Sequence, residues 1–414
     1  MNENSWSWTH PFGTATRPNE RLAIAIGVGA MGTLGFAVTS PILPDLATEF
    51  GVSRGSIGLV QAAVSVPGVL FSALIGYLAD RLGRRRVVLT ALLLFSIFGC
   101  AGFFARSFWS LVGVRFLQGV GTSGILGVGI VLIGDAFEGD ARTRAMGINI
   151  TGVTLVAMLG PVVSSQLATG GIFRSFLIFV IGFPLAVWAS RMPADKPTGT
   201  IALPHRHLAA AVRKMRADRT LVDYGGVLVA TFSGVFILHG LGLTVTPLFL
   251  EEEFGTPVGQ RGLILAAFQA GTILVAVRIG QIVARLGSRR ALTFAFWMMA
   301  IGAALAGLAP TAWSVAGGLA FAGLGFGLFV PQAQSYAASA AGDSYRGVTV
   351  LIWVTVVRSA QVIGPPTGSN IADGLGGRTA FLVAAGAMAV LASAWRPIRQ
   401  LWHTRVGLHA DGIR

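Results

Sequence analysis

Arg115, His239 and Arg358 are ionisable side chains embedded in long apolar stretches of a 414-residue chain. Holding such a group at membrane depth is costly, which makes each of them a functional candidate. Thr355, Arg358 and Gln361 recur at three-residue intervals, a spacing that lines polar groups along one side of a helix. Arg115, Gln118 and Thr122 form a comparable stripe. The acids are placed differently, with none at the middle of an apolar stretch. Asp45 and Glu251, Glu252 and Glu253 stand at one set of ends, Asp80 and Asp135 at the other. Guanidinium groups without a nearby carboxylate favour an anionic, zwitterionic or acceptor-rich ligand, because arginine presents a planar fork of donors. The alternative for Arg115 is structural, its donors resting on backbone carbonyls.

Proton chemistry has two candidates, His239 and Asp45. His239 is the one histidine within an apolar stretch, and the unperturbed imidazole titrates close to neutral pH. A hydrogen-bonded packing role is the alternative for it. Gln61, Asn149 and Gln269 are uncharged polar residues near the middle of apolar stretches. With Phe36, Phe232, Phe236, Trp353, Arg358 and Gln361 they make up a candidate amphipathic substrate cavity.

No other chemistry competes. A single cysteine, Cys100, excludes internal disulfides and paired-thiol metal sites. The chain has no phosphate-cradling loop and no helical pair of histidines with a glutamate. Gly-x-Gly pairs such as Gly27-Val-Gly29 and Gly323-Leu-Gly325 fall within apolar stretches, where they read as packing faces. The expectation is therefore a protein that is not an enzyme, holds no cofactor or metal, and draws energy from an ion or solute gradient.

The elements that must position these residues follow from composition. Charged residues make up 12% of the chain, apolar residues 53%, and the mean hydropathy is +0.71. A soluble domain carries about 25% charged residues, so an ordinary soluble enzyme is excluded. The first 21 residues are polar and lack the pattern of a signal peptide. Apolar segments then recur at roughly 22–43, 55–78, 87–105, 108–133, 147–168, 173–190, 224–249, 262–283, 291–309, 313–336, 348–368 and 379–396. Each is long enough to cross a bilayer. The even-numbered loops and the tails hold 23 of the 31 Lys+Arg residues, the odd-numbered loops five, and Arg115, Arg278 and Arg358 lie inside spans. The positive-inside rule then puts both termini in the cytoplasm of a cell whose plasma (inner) membrane the chain crosses. The net charge of +14 reads as topology and not as nucleic-acid binding.

The expected organisation is a cytoplasmic tail (1–21), a six-helix bundle (22–190), a basic linker (191–223), a second bundle (224–396) and a second cytoplasmic tail (397–414). The bundles share a register of 204 residues. Gly76-Tyr-Leu-Ala-Asp80-Arg81-Leu-Gly83-Arg84-Arg85-Arg86 aligns with the segment from Gly280 to Arg290, Gly119 and Gly121 with Gly323 and Gly325, and Gly160-Pro161 with Gly364-Pro365. An internal parallel repeat of this kind places a substrate site near the midplane between halves.

At these motifs the chain resembles the major facilitator superfamily, and within it the twelve-span drug/proton antiporters. The segment from Gly76 to Arg86 resembles the family's signature loop between spans two and three. Arg115-Phe-Leu-Gln118-Gly119-Val-Gly121 resembles its fourth-span motif, and Pro41-Ile-Leu-Pro44-Asp45 the proline pair of the exporter branch. Gly147 to Gly160-Pro161 resembles the fifth-span antiporter motif in part, with Val156 and Ser164-Ser165 where that motif has glycines. The resemblance implies an all-α membrane fold of twelve transmembrane helices in two six-helix bundles. It implies an inner gate in which Asp80 meets the start of span eleven and Arg84 pairs with Asp135, supported by Gly76, Arg81 and Gly83. Ala284 takes the place of that acid in the second half. It also implies a proton-relay role for Arg115. The function expected is proton-coupled export of amphipathic small molecules by a functional monomer that alternately exposes its site. Partners are then the small-molecule substrate, protons and the bilayer, without nucleic acid. Arg358 motivates the alternative of a symporter or facilitator of an organic anion. A receptor or lipid-binding scaffold on the same fold is a third possibility.

Overall fold

The computed structural model describes residues 18–137, 139–192, 204–217, 220–276, 278–340 and 345–410, with the side chains of Asp80 and Asp135 outside the description. Expectations for residues 1–17 and 411–414 lie outside it as well. Among the described residues every regular element is helical, as a hydrocarbon solvent demands, because each backbone donor and acceptor must be satisfied within its own segment. Eleven helical stretches are long and apolar enough to cross a membrane. The helix Phe108–Ala136, 29 residues long, supplies the fourth of the twelve expected spans.

In the first half, span one is built from Pro18–Ala37, Ser40–Ile42 and Leu43–Phe50. Pro41 and Pro44 each occupy the opening turn of a short helix, where a missing N–H costs nothing. Span two is Arg54–Leu82, span three Arg84–Ala101, span four Phe108–Ala136 and span five Gly139–Ala168. Span six enters as a tight helix, Ile172–Ile181, and relaxes into Gly182–Ala189. In the second half, span seven runs through Leu221–Ile237, a wide-turned Leu238–Val245 and Thr246–Phe254. Span eight is Val258–Ala276 and span nine lies in Ile279–Gly307; Gly287, at φ 74°, breaks that helix and makes the turn into span nine. Span ten is Ala312–Ser339, span eleven Arg346–Leu375 and span twelve Gly377–Ala410. The basic linker carries a helix, Pro204–Ala217, whose Ala211 and Met215 are buried. The last helix also continues through the segment read as a tail.

The 204-residue register holds at the level of atoms. A Cβ added to Gly119 would strike the Val64 carbonyl of span two, and one added to Gly323 would strike the Phe268 carbonyl of span eight. Gly121 abuts the Ala91 carbonyl of span three as Gly325 abuts that of Ala295 in span nine. Each pair of contacts is one contact repeated 204 positions later. Glycine permits helices to approach to backbone contact, where dispersion replaces the hydrophobic drive that lipid removes.

Candidate functional site

The two halves meet along two seams, spans two with eleven and spans five with eight, and the repeat relates these seams as well. Gly58 lies against the Pro365 carbonyl and Gly262 against the Pro161 carbonyl, so that neither has room for a side chain. Ser369 Oγ and Asn370 Nδ2 donate to the Gly55 carbonyl, at 2.6 and 3.2 Å. Ser165 Oγ and Gln166 Nε2 donate to the Gly259 carbonyl, at 3.4 and 2.8 Å. Prolines at 161 and 365 free carbonyls from the helical ladder, and glycines let the facing helix reach them. Among the described residues nothing lies within 4 Å of a Cβ built at Gly76 or Gly280, about 27 Å along the helices from Gly58 and Gly262. The close approach expected at Gly76 is not seen among the described residues. Gly83, at φ 90°, does make the expected turn.

Ion pairs reinforce the closed end. Arg261, nearly buried, donates through Nη1 to Asp45 Oδ2 at 2.5 Å and to the Pro41 carbonyl at 3.3 Å, while its Nε bonds the Thr256 carbonyl at 2.9 Å. Arg54 binds Glu251 and Glu252, each at 2.7 Å. Ser40 Oγ donates to the Leu243 carbonyl at 2.5 Å. Arg378 holds Glu253 at 2.7 Å within the second half. Asp45 thus stands in an interhalf ion pair. Replacing Arg261 by glutamine removes hydrogen bonds to a charged group worth about 1.5–3 kcal/mol. The expected outcome is a longer spin-label distance between Thr169→Cys and Gln260→Cys in a Cys100→Ser background; an unchanged distance would free Arg261 of any role in closure.

Arg115 is fully buried within the first bundle. Its Nη1 donates to Gln118 Oε1 at 2.5 Å, and its Nη2 to the Gly35 carbonyl and to Thr39 Oγ1. Thr39 in turn donates to Gln61 Oε1 at 3.2 Å, and Gln61 Nε2 to the Phe36 carbonyl at 3.2 Å. Arg115 Nε and Gln118 Nε2 remain without a hydrogen-bond partner among the described residues. Thr122 bonds only the Gln118 carbonyl of its own helix.

The network reaches the other half through Phe36, whose ring meets His239 edge-on at 5.0 Å. The His239 Nδ1–H donates to the Val235 carbonyl at 3.0 Å. Arg358 is buried, packs its guanidinium on Gly68 of span two and donates to Gln361 at 3.2 Å. Among the described residues neither Arg115 nor Arg358 has a carboxylate in an ion pair. Thr355 does not join this group: it is exposed and bonds the Leu351 carbonyl.

The remaining candidates are dispersed. Asn149 is buried beside Gly29 with its Oδ1 unpartnered among the described residues. Gln269 is half-buried on span eight. Trp353 donates to Thr231 Oγ1 at 3.1 Å inside the second bundle. Phe232 and Phe236 stack on each other and line an apolar cavity between spans seven, eleven and twelve, away from Gln61 and Phe36. Gly160 packs on Leu34 and Ala37 of span one. Arg81 is exposed and bonds Tyr77 at 3.1 Å. The docking expected of Asp80 and the pairing of Arg84 with Asp135 depend on side chains outside the description. Sequence reasoning missed Gly58, Gly262, Gln166, Ser369 and Asn370. The 204-residue register, extended beyond the three motifs, relates each of them to a partner.

A family model described as Major Facilitator Superfamily matches residues 25–257 and 227–407. A bacillibactin exporter of Bacillus subtilis is 29% identical over 144 residues, covering 32% of this chain and 36% of that protein. The 4-hydroxybenzoate transporter PcaK of Pseudomonas aeruginosa is 26% identical over 270 residues, 58% of this chain and 60% of that protein. The chain thus spans less than two thirds of either relative's length. Among solved structures, the human organic anion transporter MFSD10 (TETRAN) superposes with a TM-score of 0.68 at 18% identity, over 92% of this chain and 100% of that one.

Proposed function

The chain belongs to the major facilitator superfamily, and on that premise we propose that it is a secondary active transporter that exports amphipathic, acceptor-rich small molecules against inward proton movement. The observation that carries this reading is the pair of seams closed by glycine contacts, hydrogen bonds and ion pairs towards one end, with open space at Gly76 and Gly280 among the described residues towards the other, which we read as a wedge parted at that end. With the basic loops in the cytoplasm, the closed end is external and the parted end cytoplasmic. Rocking the bundles about their shared centre then exposes one site to each side in turn. Asp80, Arg84 and Asp135 close the cytoplasmic end in the opposite state, as the signature loop implies.

At the centre, Arg358 and Gln361 offer donors without a competing carboxylate, and His239 and Phe36 join the halves beside them. Substrate acceptors fit this donor set better than a cationic drug does. Of the two proton candidates, Asp45 and His239, the one that stands in a contact between the halves able to link a proton to opening is Asp45, through its pair with Arg261. Neutralising it removes the attraction to Arg261 and loosens the external end, which links proton entry to opening. Asp45→Asn is expected to abolish the pH dependence of transport while leaving substrate binding in place.

Flux in proteoliposomes tests the whole reading. An imposed pH gradient is expected to drive amphipathic dye or drug movement. The buried Arg358 also favours a second reading, movement of a small organic carboxylate, the class to which the relative named for 4-hydroxybenzoate belongs. Counterflow of such carboxylates without a pH gradient would replace the first reading by the second.

A further inference from the structure

The cavity between spans seven, eleven and twelve has a volume of about 470 Å³ and almost wholly apolar walls. On span seven the wall runs from Phe232 to Val245, and on span twelve from Ala380 to Leu391. At 1.5 Å per residue these are lengths of about 20 and 16 Å. The cavity is thus drawn out along the helices, over a depth comparable to one leaflet of a hydrocarbon core about 30 Å thick. Val383 and Val390 on its wall are 52% and 66% exposed. On a membrane-spanning helix that exposure is to lipid and not to water.

At the matching junction of the first half, between spans one, five and six, Leu185 closes on Gly27. Span twelve instead turns Ala380, Ala384 and Ala387 towards the gap. Span seven widens its helical turn at Leu238–Val245, a distortion frequent at functional positions. Gly240 there meets Gly364 and Gly368 of span eleven backbone to backbone. An apolar void of this size costs stability when empty, and water gains too few polar partners to enter it.

We propose that this cavity holds one acyl chain of a bilayer lipid, admitted sideways from the membrane. The chain lies along span seven against the stacked Phe232 and Phe236 rings, whose centroids are 5.7 Å apart. None of Phe36, Gln61, His239 or Arg358 is among the residues that line it.

The test uses the full chain reconstituted with a phosphatidylcholine bearing a diazirine on its acyl chain, followed by irradiation and peptide mapping. Label is expected to concentrate in 232–245 and 380–391 over the exposed Val187 face of span six. In Ala384→Phe and Ala387→Leu, whose larger side chains occupy the cavity, it is expected to fall about tenfold. Labelling equal to that at Val187 in the unaltered protein overturns the proposal whether or not the variants fold. So does labelling that survives filling in a variant of normal thermal stability, or capture of a free apolar diazirine in place of the lipid.

Discussion

Valine at position 262 is expected to reduce transport by roughly a hundredfold with normal insertion and expression. Gly262 faces the Pro161 carbonyl and the Ser165 hydroxyl with no space for a Cβ. Both obstacles belong to the opposing bundle, one of them backbone, so a side chain can be housed only by moving spans five and eight apart. Overpacking costs about 1–3 kcal/mol. Separation also weakens the bonds from Ser165 and Gln166 to the Gly259 carbonyl, each worth about 0.5–1.5 kcal/mol. A total near 3 kcal/mol corresponds to roughly a hundredfold loss of the closed state. Gly58→Val is expected to act alike through the Pro365 carbonyl. Gly225→Val is the control, since nothing lies within 4 Å of a Cβ there. Flux measured in proteoliposomes decides the matter: a wild-type rate in Gly262→Val would mean that closure of this seam is no step of the cycle.

Arg358→Gln is expected to weaken binding of an acceptor-rich substrate by roughly ten- to a hundredfold, the worth of a hydrogen bond to a charged donor at about 1.5–3 kcal/mol. The folded protein should tolerate the change. Arg358 has a neutral partner, Gln361, and a buried charge without a counterion is itself a cost to the fold. Arg358→Lys keeps the charge and loses the planar fork, so its affinity is expected to fall between the two. The concentration dependence of flux, read beside thermal stability, separates these outcomes. An unchanged substrate affinity in Arg358→Gln would remove this residue from the binding site.

Some of the site was legible before any tertiary contact was known. Arg115 with Gln118, and Arg358 with Gln361, are neighbours on one helix at a three-residue spacing, and both hydrogen bonds form. Other expectations did not carry over. Thr355 shares that spacing but faces outward. The adjacent acids Glu251, Glu252 and Glu253 look equivalent in the sequence, yet two reach Arg54 across the halves and the third reaches Arg378 within its own. Phe232 and Phe236, both candidates for the substrate cavity, stack on each other and line the apolar cavity between spans seven, eleven and twelve.

What the amino-acid order determined alone is whatever acts along a single helix or recurs between copies. Hydropathy over some twenty residues set the spans, the placement of arginines gave the expected orientation, and the 204-residue register gave the glycine contacts that the structure repeats. What only the folded chain decided is which face each helix turns to which neighbour. That choice depends on the tilt and rotation of packed cylinders, to which residues far apart in sequence contribute together. The closed seam at Gly58 and Gly262, the Arg261–Asp45 pair and the unfilled junction beside span twelve all arise there.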